Sequence, residues 1–145
     1  MKSEIPDGSD WGNWQDDMDL SYAHSVYYGR SNEELEEYFV FAPIEAAGEL
    51  AFMPAPVFRY YVIGFRDSVM SGKHEEFNAA NAASCFIRLI LDRAKSNPSE
   101  IVRLMPDLWP TLEYIAGRQA AFDADVDIYG DFLAIVQNIK DACSG

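Results

Sequence analysis

Three aspartates alternate in Asp123-Ala124-Asp125-Val126-Asp127, the spacing with which a calcium loop opens. In such a loop the side chains at positions 1, 3 and 5 turn toward one ion. The rest of the motif does not follow. The glycine needed for the sharp turn is replaced by Ile128, and the closing bidentate glutamate by Ala134. Asp131 is compatible with position 9 but does not complete a site. Asp123, Asp125 and Asp127 are therefore weak metal candidates. Their expected work is to end one helix and cap the next, since aspartate is a favoured N-cap. An enzyme with an acidic metal site over residues 123–131, with Glu113 as a further ligand, is the alternative this motif keeps open.

Other chemistry is sparse. His24 and His74 lie far apart in the chain, and neither has a second histidine one helical turn on. A helical metal pair is thus absent. Ser84-Cys85 falls inside an apolar helical pattern, where a thiol has no base to activate it. Cys85 and Cys143 offer no disulfide framework and no metal spacing, which suits a reducing compartment. No Gly-x-Ser-x-Gly elbow and no phosphate-binding glycine loop occurs. No catalytic residue and no cofactor is expected.

Charge is the stronger signal. The 145 residues hold 24 acids and 11 bases, a net charge of −13. Residues 1–50 carry 12 of the acids and 2 of the bases, whereas residues 51–100 are close to neutral. A field of this sign repels nucleic acid and anionic membrane and attracts basic partners. The first third also contains aromatic residues beside its carboxylates. Glu33, Glu34, Glu36 and Glu37 are flanked by Tyr28 and Tyr38, with Tyr27 and Phe41 close by. Rings supply anchors and carboxylates steer encounter, so Tyr28, Glu33, Glu34, Glu36, Glu37 and Tyr38 form the expected partner-binding set.

These residues must be positioned by helices. An apolar fraction of 49% with 24% charged residues is that of a globular chain, and no alternating strand pattern persists. Residues 1–15, with Pro6, Gly8, Gly12 and Asn13 around Trp11 and Trp14, read as an irregular arm whose tryptophans are expected to pin it to the body, the alternative being rings exposed for a partner. Residues 16–145 read as a single helical domain. Residues 17–28, with Leu20, Ala23 and Tyr27 at helical spacing, read as a helix ending at Gly29, with a strand as the alternative. A second starts at the capping box Ser31-Asn32-Glu33-Glu34 and ends before Pro43. A third follows Pro54-Ala55-Pro56 and carries Phe58, Tyr61, Val62, Phe65 and Val69 on one face, with Arg59 and Arg66 on another. Residues 76–95 are apolar on nearly all sides, which makes them the central helix. Beyond Asn97-Pro98, a short helix over 99–104 stops at Pro106 and another spans 107–122. The last covers about 128–143, with Phe132, Ile135, Val136 and Ile139 as its core stripe. The expectation is an all-α fold, a single compact domain of six or seven helices around the apolar helix at 76–95.

The acidic start lacks an apolar leader segment and no long apolar run occurs, so a cytoplasmic protein is expected. The expected function is a small acidic interaction protein without catalysis, binding a basic protein. A bacterial immunity or antitoxin-type inhibitor is the most concrete member of that class. Besides the metal enzyme, the alternatives are a homo-oligomeric scaffold, such as a homodimer, and a nucleic-acid mimic whose carboxylates stand in for phosphates.

Overall fold

The computed structural model describes residues 4–75 and 78–144, and every regular element among them is helical. In the arm, Asp7 accepts from the Ser9 and Asp10 N–H groups while the Asp10 carboxylate accepts from the Asp7 N–H at 2.9 Å. This reciprocal cap starts α1 (Gly8–Trp11), and a 3-10 turn follows at Trp14–Asp16. Asp17 caps α2 (Met18–Tyr27), and Gly29, at φ +77°, turns the chain away where a side chain would be strained. The arm is therefore more ordered than its composition suggests, and Trp11 is buried in the same core as the long helices.

The capping box at Ser31 forms both of its bonds. The Ser31 hydroxyl accepts from the Glu34 N–H at 3.1 Å, and the Glu34 carboxylate accepts from the Ser31 N–H at 2.9 Å. Residues 32–35 nevertheless close as turns, and α3 covers only Glu36–Phe41. Asn32 is held elsewhere. Its N–H donates to the Tyr60 hydroxyl at 3.1 Å and its Nδ2 to the Tyr60 carbonyl at 2.9 Å. A tertiary clamp takes the place of the first helical turn. Pro43 ends α3 as expected but also opens α4 (Pro43–Leu50), a helix that periodicity alone did not reveal.

The longer helices are α5 (Ala55–Met70), α6 (Asn78–Ser96), α7 (Pro98–Ala116) and α9 (Phe132–Ser144), with the short α8 (Val126–Tyr129) before the last. Glu76 and Phe77, expected to begin the central helix, lie outside the described residues. α6 packs against α3, α4, α5, α7 and α9. Ala82, Ala83, Phe86, Ile87 and Ile90 along it are fully buried, the alanines letting neighbouring backbones come close.

Two expected boundaries fall. Residues 98–116 form one helix, with Pro106 and Pro110 inside it. Each proline removes one backbone hydrogen bond and normally breaks a helix. Here both prolines, and Val102 whose carbonyl loses its partner, lie on the exposed side, where water can satisfy the freed groups. Ile101, Leu104, Leu108, Leu112 and Ile115 meanwhile bury one continuous stripe, which holds the helix through the defects. The second boundary is at Gln119, expected inside a helix but found beyond its end. Gln119 Nε2 donates to the Ala124 and Gly130 carbonyls at 3.0 and 2.7 Å, and its Oε1 accepts from the Phe132 N–H at 2.9 Å. It latches the 117–131 segment and caps the start of α9, so the last helix begins at Phe132 instead of near 128.

Candidate protein-recognition surface

The acidic third of the chain is built over a buried polar cluster. Glu49, on α4, is nearly inaccessible to solvent. The Tyr27 hydroxyl donates to its Oε1 at 2.9 Å, and the Tyr38 hydroxyl lies 2.8 and 2.7 Å from its two oxygens. Tyr61 in turn donates to the Tyr27 and Arg30 carbonyls at 2.7 and 2.8 Å. One carboxylate thus joins α2, α3 and α4, and a tyrosine of α5 holds the turn beneath. Burial pushes the Glu49 pKa up, the two tyrosine hydroxyls pull it back, and the Glu45 carboxylate pushes it up again. The same burial, reinforced by Glu49, drives the Tyr27 and Tyr38 hydroxyls far above the ordinary phenol range, so both remain donors.

Tyr38 is half-buried in this cluster, where its hydroxyl is committed to Glu49. Tyr28 is exposed, but it belongs to another group. His24 is stacked between Trp14 (3.7 Å between ring centroids) and Tyr28 (4.5 Å), with Trp11 edge-on at 5.1 Å. Burial in this stack pushes the His24 pKa down. Glu33, Glu34, Glu36 and Glu37 are all exposed. Glu34 is engaged by the Ser31 cap, and Glu36 meets Lys73 at 3.1 Å. Glu33 and Glu37 make no ion pair among the described residues.

Glu33 and Glu36 face a small cleft of about 100 Å³, closed by Asn32, Gly64, Asp67 and Ser68. The cleft depends on Gly64, since a Cβ there would sit 2.5 Å from Asn32 Cγ and 2.8 Å from its Cβ. Asn32 Oδ1 is buried beside it without a hydrogen-bond partner. The lining is thus rich in acceptors, the chemistry that receives a guanidinium or ammonium group.

The same segment carries exposed apolar side chains. Phe41, at the end of α3, is 83% exposed, and Ile44, on the first turn of α4, is 56% exposed. Tyr22 is 60% exposed, and with Glu45 it lies close enough to raise the Tyr38 pKa further. Across α6 the surface continues: Asn78 donates to the Phe41 carbonyl at 3.3 Å, Asn81 reaches Asn78, and the Tyr129 hydroxyl donates to Asn81 at 3.0 Å, beside an exposed Ile128. Ile44 lies on the helix that periodicity missed. Phe41 is visible in the sequence as a flanking ring, but its exposure is not.

The aspartates at 123–127 do not gather. Asp123 adopts a left-handed backbone (φ +55°), and Asp125 caps α8 by accepting from the Asp127 N–H at 2.9 Å. Among the described residues no three His, Cys, Asp or Glu side chains converge as metal ligands. Both thiols are pushed up by burial, at Cys85 against a smaller opposing pull from Arg88. Among the described residues no helix is long and apolar enough to cross a membrane. The chain matches no family model, no curated protein and no solved structure.

Proposed function

We propose that the chain is a recognition module for a basic protein segment, engaged by the outer faces of the 31–35 turn, α3 and the start of α4. The observation that carries this reading is Phe41. Its ring is 83% exposed, Ile44 three residues on in sequence is 56% exposed, and both lie in a segment holding 12 acids and 2 bases, the combination of apolar groups and surrounding charge that suits an interaction site. Rings of this kind serve as anchors, and the surrounding carboxylates steer a cationic partner toward them. In the cleft, Asp67 is held by Arg66 and Glu36 by Lys73, which leaves Glu33 as the carboxylate there to receive a lysine or arginine side chain. The Tyr27–Tyr38–Glu49 cluster supports the reading by holding α2, α3 and α4 in one arrangement, which lowers the ordering cost of binding. An inhibitor of the immunity or antitoxin type is the form of module this arrangement suits.

The test combines affinity capture at low and high salt with kinetics on the captured partner. The partner should be basic. Reversing Glu33, Glu36 and Glu37 to Lys should slow association by about tenfold or more at low salt and flatten its salt dependence. Phe41→Ser should leave association nearly unchanged and speed dissociation. A folded charge-reversed protein that associates at the wild-type rate would overturn the proposal.

A further inference from the structure

α7 and α9 both pack on α6 and on each other, but a groove lies between them near the end of α9. The inward stripe of α9 is large through Ile139, which is fully buried, but the next inward positions are Ala142 and Cys143. Facing them, α7 presents Val102, Met105 and Trp109. Small side chains opposite large ones leave a groove of about 320 Å³, lined by these three residues with Lys140, Cys143 and Ser144. Trp109 and Met105 are half-buried in its floor and Val102 is 47% exposed at its rim. The volume is at the lower end of small-molecule sites, which are mostly apolar with a few placed polar groups.

Charge decides what fits. The chain has a net charge of −13, yet among the described residues no carboxylate side chain lines this groove, and the one charged side chain there is the cation Lys140. The Lys140 ammonium stands 5.8 Å from the Trp109 ring centroid, so the positive group and the flat apolar wall are neighbours. The Ser144 hydroxyl donates to the Lys140 carbonyl at 2.8 Å, tying the last turn of α9 at the mouth. An apolar wall with a single ammonium at its edge is complementary to a molecule with an apolar body and one negative head.

We propose that the α7–α9 groove is a binding site for a small amphipathic anion, an aliphatic or aromatic carboxylate or sulfonate. Its apolar body lies against Trp109, Met105 and Val102, and its head meets Lys140. This site is independent of the acidic recognition face, so either proposal stands or falls alone.

The probes are octanoate and 1-anilinonaphthalene-8-sulfonate, titrated into the full chain. The readouts are tryptophan emission, dye emission and amide shifts in a two-dimensional NMR spectrum. Saturable binding is expected, with shifts concentrated at Val102, Met105, Trp109 and Lys140, and with octanoate displacing the dye. Octanol, which lacks the charge, should bind more weakly. Lys140→Gln should weaken octanoate about fivefold without changing the melting temperature, because the ammonium is exposed. Cys143→Leu should fill the groove and abolish binding, and Phe41→Ser should leave it intact. The proposal is overturned by any of three results: no saturable binding at millimolar octanoate, equal affinity for octanol, or shifts confined to the Phe41–Ile44 surface. Self-association of the chain that covers Trp109, seen by sedimentation and lost in Cys143→Leu, would overturn it in favour of a second copy as the occupant.

Discussion

Two buried glutamates show how differently the two halves of this molecule handle charge. Glu100, 7% exposed at the start of α7, is held by Arg93 through two bonds of 3.0 and 2.8 Å. Arg93 also donates to the Ala51 and Met53 carbonyls at 3.2 and 2.9 Å and lies 3.9 Å from the Phe58 ring centroid. Glu49, 9% exposed, has only tyrosine hydroxyls for side-chain partners among the described residues. The middle of the chain has bases to set against its acids. The first fifty residues have two bases, and of these Arg30 forms no ion pair among the described residues. A neutral donor satisfies a carboxylate without cancelling its charge. The acidic third therefore packs this carboxylate without a cation of its own, which suits the recognition face proposed above.

The comparison predicts unequal responses to mutation. The largest should come from Arg93→Ala, which strands Glu100 and two backbone carbonyls. A loss of about 3–5 kcal/mol in denaturant unfolding is expected, and the double change of Arg93 and Glu100 to Met should cost less than the single one. A loss under about 1 kcal/mol would mean the ion pair does not hold α6, α7 and the 51–53 loop together. Gly64→Ala should come next, at about 1–3 kcal/mol, because the new methyl displaces the Asn32 clamp. Amide exchange should then accelerate in residues 31–35 ahead of the rest of the chain.

Tyr27→Phe should cost about 1–2 kcal/mol, less than Arg93→Ala, because Tyr38 still serves Glu49. Equal losses for the two variants would break the comparison. A subtler measurement is pH dependence. Burial raises the Glu49 pKa, so the folded state binds its proton more tightly than the unfolded state. This stabilisation is full below the ordinary carboxylate pKa and is lost as pH rises through the raised value. Glu49→Gln keeps the acceptor for both tyrosines and removes the titration. Wild type should therefore lose stability relative to the variant over that window and run parallel to it on either side. A parallel course throughout would show that the tyrosine donors fully compensate burial. The smallest effect should follow Lys73→Ala: the exposed pair with Glu36 is worth under about 1 kcal/mol, and binding of a basic partner should be unchanged or tighter.

Several features are legible in the amino-acid sequence by itself. The charge split, the helical periods of α5, α6 and α9, and the absence of strand patterning are local properties of the chain. So are the caps: Ser31 with Glu34 forms the expected reciprocal bonds. Only the tertiary structure decided what those local signals became. The capping box did not start a helix there because Tyr60 held Asn32 in a turn. Pro106 and Pro110 did not break α7 because one face stayed buried against α6 and α9 while the prolines faced water. Tyr38 and Phe41 are both aromatic residues of α3, but Glu49 on the next helix drew Tyr38 inward and nothing among the described residues covers Phe41. A sequence determines which groups are apolar, charged or bent at short range, since those follow from covalent structure and near neighbours. Whether a ring is core or anchor depends on what lies above it, and that is set by segments distant in the chain.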